Sequence, residues 1–150
     1  MPDIKQQLYL FCSEHISDRE AAIRVTIEEA RDAANNETKS SAGDKYETGR
    51  EVMQQEIDLN LTRLNELKGM KQTLERIKPD QKSEVAVPGS VVITSNGNYY
   101  IAISAGIPVI DGERYYAISA ASPIGKMLAG KKNGDTFTFN GKAFVIQQVL

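Results

Sequence analysis

Cysteine and histidine are nearly absent from this chain: its 150 residues hold one of each, Cys12 and His15, and no tryptophan. A single cysteine excludes an internal disulfide. One cysteine with one histidine also falls short of the four Cys/His ligands of an ordinary protein zinc site. A Cys12 thiol paired with His15 would be a conceivable nucleophile, but both residues sit in an apolar helical pattern, which reads as packing. Long apolar runs are missing as well. None approaches the ~20 residues that a bilayer span requires, and the opening Met-Pro-Asp-Ile-Lys-Gln-Gln lacks the basic-then-apolar layout of a secretory leader. A cytoplasmic location without a membrane partner is therefore expected. Positive charge is not in excess: 18 Lys and Arg against 20 Asp and Glu leave a net −2. No overall field draws the chain to nucleic acid.

What is present fits a folded chain of one ordinary domain or two small ones, with 41% hydrophobic and 25% charged residues. Ile4, Leu8, Phe11 and His15 recur at helical spacing and predict a short helix ending near Ile16. Ser17-Asp18-Arg19-Glu20 has the pattern of a capping box, which predicts a second helix starting there. Its buried stripe would be Ile23, Ile27, Ala30 and Ala34, with Glu20 and Arg24 paired four residues apart on the surface. A third pattern, Met53, Ile57, Leu61, Leu64, Leu67, Met70, Leu74 and Ile77, extends over about seven turns, or roughly 40 Å at 1.5 Å per residue. Such a helix cannot hide its stripe alone. The neighbouring antiparallel helix is the nearest partner, so residues 1–78 read as a helical-hairpin coiled coil. Because the hairpin buries its own stripe, a monomer is expected.

Between the two long patterns lies a polar stretch, residues 35–51, which reads as the hairpin tip. Two capping signals compete inside it: Ser41-Ala42-Gly43-Asp44 would open the long helix early, and Thr48-Gly49-Arg50-Glu51 later. A start near Ser41 or Ala42 puts Asp44 in the first turn, where the helix dipole favours a carboxylate.

The character changes at residues 79–84, a polar linker opened by Pro79, which cannot continue a helix. From Val85 to the end the period becomes two. Strands are predicted over 90–94, 99–104, 114–119, 136–139 and 143–149, separated by turn signals at 95–98, 111–113 and Asn140-Gly141. One short helix is predicted between them, with Ser122 as cap, Pro123 at its first position and Gly130 ending it. The fold class is thus α+β: an antiparallel helical hairpin followed by a small antiparallel-sheet domain, residues 85–150, with one short helix.

The run Ile118-Ser119-Ala120-Ala121-Ser122-Pro123-Ile124-Gly125-Lys126-Met127-Leu128-Ala129-Gly130-Lys131-Lys132-Asn133-Gly134-Asp135 closely resembles the signature of the bacterial Gre family of transcript-cleavage and elongation factors, through its Ser-Pro-Ile-Gly, Gly-Lys-Lys and Gly-Asp elements. Ala22-Ile23 through Ile27-Glu28-Glu29-Ala30-Arg31 resembles the family helix that precedes the tip, so the similarity covers most of the chain. The resemblance implies an FKBP-like C-terminal domain that docks on the rim of the RNA polymerase secondary channel, and a coiled coil that enters the channel close to nascent RNA. It implies docking through Ser122, Pro123, Ile124 and Gly125. It further implies no cofactor of the protein's own and no independent enzymatic activity, the relevant ion being Mg2+ in the polymerase active site.

The departure lies at the tip. Family members carry Asp-x-x-Glu-Asn-Ala-Glu-Tyr there, acids suited as hard oxygen ligands to a magnesium ion that activates water. Counting back from Tyr46 puts Lys39 and Ala42 at the acid positions; counting forward from Arg31 puts Asn35 and Thr38 there. Asp44 and Glu47 keep the three-residue spacing that sets two carboxylates on one helical face, shifted from the family position. They are the candidate catalytic, metal-positioning acids; a solvated helix start, with Glu47 near Arg50, is the alternative. Three functions follow from these readings: a Gre-like polymerase factor, with or without stimulated cleavage; a peptidyl-prolyl isomerase suggested only by fold; or a coiled-coil adaptor or chaperone gripping a protein client.

Overall fold

The computed structural model describes residues 3–37 and 43–150; the side chains of 36–37 and 43–47 lie outside that description. Two long helices come first, α1 (Ile4–Glu37) and α2 (Gly43–Glu75). Strands β1 (Val91–Thr94), β2 (Gly97–Ala102), β3 (Val109–Ile110) and β4 (Glu113–Ser119) follow. Helix α3 (Pro123–Leu128) and strands β5 (Thr136–Phe139) and β6 (Lys142–Val149) complete the α+β fold.

The break expected between Ile16 and Ser17 does not occur, because α1 is continuous through both. No residue there forbids helix, and extending an existing helix adds a hydrogen bond per residue without a second nucleation cost. Glu20 accordingly does not reach back to cap Ser17. Its Oε1 accepts from Arg24 Nη2 at 3.0 Å, the surface pair that the spacing predicts.

The chain divides into two units, Ile16–Met70 and Met1–His15 with Lys71–Leu150. In the first, Ile27, Ala30 and Ile57 form a buried seam against which Ile23, Met53 and Leu64 pack. Pairing runs in opposite directions: Arg24 and Ile27 share a groove with Leu61 and Leu64, whereas Ala34 and Asn35 share one with Arg50 and Gln54. The stripe on α2 differs from expectation at one position. Leu61 is 43% exposed and Asn60 only 4%, so the inward residues are Met53, Ile57, Asn60, Leu64 and Leu67. Their alternating spacing of four and three is the 3.5-residue period of a paired helix, which an inward Leu61 would break. The Asn60 amide donates from Nδ2 to the Glu56 carbonyl at 2.9 Å, satisfying part of its polar demand within its own helix.

In the second unit the start of α1 packs with the sheet. Leu8 and Cys12 are fully buried, as is Tyr100 of β2. Burial pushes the Cys12 thiol up to about 11, opposed only by its hydrogen bond to the Ile103 backbone. This keeps the thiol protonated and removes it as a nucleophile. Lys5 is buried and donates from Nζ to the Gln81 carbonyl, tying the polar segment 79–84 to α1. α2 ends at Glu75, and Ile77, expected to prolong it, is buried just beyond, under Gly89.

The sheet order is β3-β4-β2-β1-β6-β5. Its pairs are antiparallel except β2 with β4, which run parallel from Asn98↔Tyr115 to Ala102↔Ser119. The sheet is thus mostly antiparallel, as expected, with one parallel pair that the strand pattern does not announce. The Asp111-Gly112 turn does not return the chain onto β2; it closes a hairpin between β4 and the two-residue β3, too short to carry a periodic signal. Asp111 and Gly112 both have positive φ, 52° and 79°, as the tight turn demands. β2 also starts earlier than expected, at Gly97, which pairs with Thr94 across a two-residue turn.

Candidate functional site

Residues 119–128 build one tightly specified corner. β4 delivers Ser119 to the end of the parallel pair, and Ser122 then takes an extended conformation (φ −66°, ψ 156°) and caps α3. Its Oγ accepts from the Gly125 amide at 3.1 Å and donates to the Ser119 carbonyl at 2.6 Å. Pro123 occupies the first helical position, where a missing N–H costs nothing. Gly125 is buried under this arrangement. A Cβ there would lie 2.9 Å from Ser122 Oγ, 3.0 Å from the Ala120 carbonyl oxygen, and closer still to that of Ser119. Ile124 turns inward onto a core of Ala86, Val92, Ile101, Leu128 and Ile146.

The four docking candidates therefore fall together but do not share one role. Ser122 and Gly125 are committed to each other, and Ile124 to the core. Pro123 is exposed, with Ala120, Ala121 and Lys126 beside it. Of the four, Pro123 is the residue a partner can reach.

Asp44 and Glu47 fall within the first turns of α2, and their side chains lie outside the described residues, as do Lys39 and Ala42. Asn35 is described, at the exposed end of the groove between the helices. Among the described residues no cluster of three or more His, Cys, Asp or Glu could hold a metal ion, and no helix is long and apolar enough to cross a membrane.

A second surface feature escapes the motif reading. Beyond α3, the same sheet face carries a row of aromatic rings. Tyr99 stacks on Tyr116 with centroids 5.3 Å apart, Tyr99 meets Phe144 at 6.4 Å, and Phe144 stacks on Phe137 at 4.8 Å. Phe139 stands edge-on to Phe144 at 6.5 Å. Strand register explains the row, because opposed residues share a face: Tyr99↔Tyr116, Phe137↔Phe144 and Phe139↔Lys142. The signal was the alternation Phe137-x-Phe139 and Lys142-x-Phe144. It reads as ordinary strand until the register joins the two.

No protein-family model matches the chain, and no curated protein matches it.

Proposed function

We propose that this protein is a Gre-like factor that binds RNA polymerase and inserts its helical hairpin into the secondary channel to modulate elongation or rescue stalled complexes. The supporting observation is the run Ile118–Asp135, in which the residues that resemble the family signature are also those whose chemistry the corner needs: a serine to cap, a proline at the first helical position and a glycine where no Cβ fits. Two long packed helices followed by an α+β sheet domain suit the same reading. On it, the protein acts without a cofactor of its own, as a monomer in the cytoplasm, and any Mg2+ belongs to the polymerase.

Within this reading Pro123 presents the docking surface while Ser122 and Gly125 hold it in shape. A second version is favoured by the tip sequence, which lacks the family acids at their usual positions: a regulator that occupies the channel without stimulating cleavage and competes with factors that do. The test is to add purified protein to a backtracked elongation complex with magnesium and follow both polymerase binding and transcript shortening. Binding that falls on Pro123→Ala, with the fold intact, supports the docking assignment. Shortening lost in Asp44→Ala and Glu47→Ala supports the cleavage version; shortening that survives both removes these acids from the mechanism. Binding without shortening supports the competitor. Absence of polymerase binding overturns the reading altogether.

A further inference from the structure

The whole-chain charge of −2 conceals a local reversal. Between Ser122 and Val145 there are four lysines, Lys126, Lys131, Lys132 and Lys142, against one carboxylate, Asp135. That carboxylate is engaged by backbone, its Oδ2 accepting from the Lys132 amide at 2.9 Å. None of the four lysines forms an ion pair among the described residues. Two of them border the aromatic row: Lys131 Nζ lies 5.9 Å from the centre of the Phe137 ring, and Lys142 shares the face of Phe139 as its register partner. Phe144 is the buried centre of the row, whereas Phe137, Phe139 and Tyr99 are partly exposed and Tyr116 is 36% exposed. The edge-on setting of Phe139, at 73° to Phe144, keeps its faces off the stack. The row ends at β5, an outer strand of the sheet.

From this juxtaposition we infer that the aromatic face of the sheet, from Tyr116 on β4 across to Phe139 on β5, is a contact surface for single-stranded nucleic acid, with bases stacking on Phe139 and Tyr116 and phosphates meeting Lys131 and Lys142 at its β5–β6 end. Aromatic faces beside unpaired cations are what a single strand needs, since its bases are free to stack and its backbone charge is continuous. An acidic peptide could satisfy the lysines but has no flat rings to match the aromatic faces. A duplex keeps its bases stacked on one another and would use only the charges. The inference rests on the sheet domain alone and stands whether or not the protein binds polymerase.

The test is fluorescence anisotropy of a labelled 12-nucleotide oligouridylate with the full chain, at low salt and across a salt series. The expected result is saturable binding, weaker by about fivefold or more in Phe139→Leu, in line with the cost of losing one stacked base. In Lys131→Gln/Lys142→Gln the slope of log affinity against log salt should be shallower by about 1.4, two contacts at ~0.7 each. The control Lys68→Gln, on the exposed face of α2, should bind as the parent does. Should Phe139→Leu melt early, the lysine pair, Lys142 exposed and Lys131 partly so, still decides the question. Absence of saturable binding, equal affinity for a duplex of the same length, indifference to the lysine pair, or displacement by polyglutamate as effective as by unlabelled oligouridylate would each overturn the inference.

Discussion

Ser122 and Gly125 are bound to one another in a way that leaves neither free to vary: the Gly125 amide donates to Ser122 Oγ at 3.1 Å, and a Cβ on Gly125 would lie 2.9 Å from that same oxygen. The hydroxyl also donates to the Ser119 carbonyl at 2.6 Å, so one oxygen joins the end of β4 to the start of α3. Gly125→Ala should therefore destabilise the protein by about 2–3 kcal/mol, the upper part of the usual cost of overpacking, because the nearest atom is backbone. Ser122→Ala, which removes the cap, should cost about 1 kcal/mol. Pro123→Ala should change stability least. Thermal melts of the three variants check this order.

Asn60 tests the helical seam. It is an amide buried in the inward row between Ile57 and Leu64, and its Nδ2 donates within its own helix, to the Glu56 carbonyl. Asn60→Leu should raise stability by about 1 kcal/mol in urea unfolding, because a polar residue at such a position is retained at a cost in stability. The same variant should lose some definition of pairing partner. Sedimentation of Asn60→Leu should then show higher oligomers that the parent lacks.

Cys12 gives the protein an alkaline weakness. Its thiol is held neutral by burial, with the folded value near 11 against an ordinary value of 9.0. The stability this reflects is fully present below pH 9 and is lost as the pH rises through 11. Melting temperatures should fall across that window in the parent, and fall less in Cys12→Val, which keeps the volume without the ionisation. Tyr100, also raised by burial, contributes in the same direction and leaves a residual slope in the variant. At neutral pH, thiol reagents should label Cys12 only under unfolding conditions.

The Glu20–Arg24 pair should matter little. It joins two side chains on the solvent face of α1, 35% and 65% exposed, four residues apart. Arg24→Ala should change the urea midpoint by no more than about 0.5 kcal/mol in free energy, and the difference should vanish at high salt.

By itself the sequence determined the elements whose causes are local. The fade of the stripe from Ile27 to Ala34, the Ser122 cap with Pro123 behind it, and the Asn140-Gly141 turn follow from spacing and side-chain chemistry within a few residues. The structure carries each of them as read, Asn140 and Gly141 with positive φ among them. Tertiary structure decided wherever two segments competed or had to meet. The capping signal at Ser17 yielded to continuous helix. Leu61 turned out and Asn60 turned in because the seam between helices repeats every 3.5 residues, which no single helix requires. The parallel pairing of β2 with β4 depends on β3, whose two residues are strand only because β4 lies alongside. The roles within residues 122–125 separated in the same way, since Ser122, Ile124 and Gly125 look as available as Pro123 until burial and hydrogen bonds commit them. The aromatic and basic face of β5 and β6 exists in the sequence only as alternate residues of separate strands; register makes it a surface, because pairing in antiparallel strands puts opposed side chains on one side of the sheet.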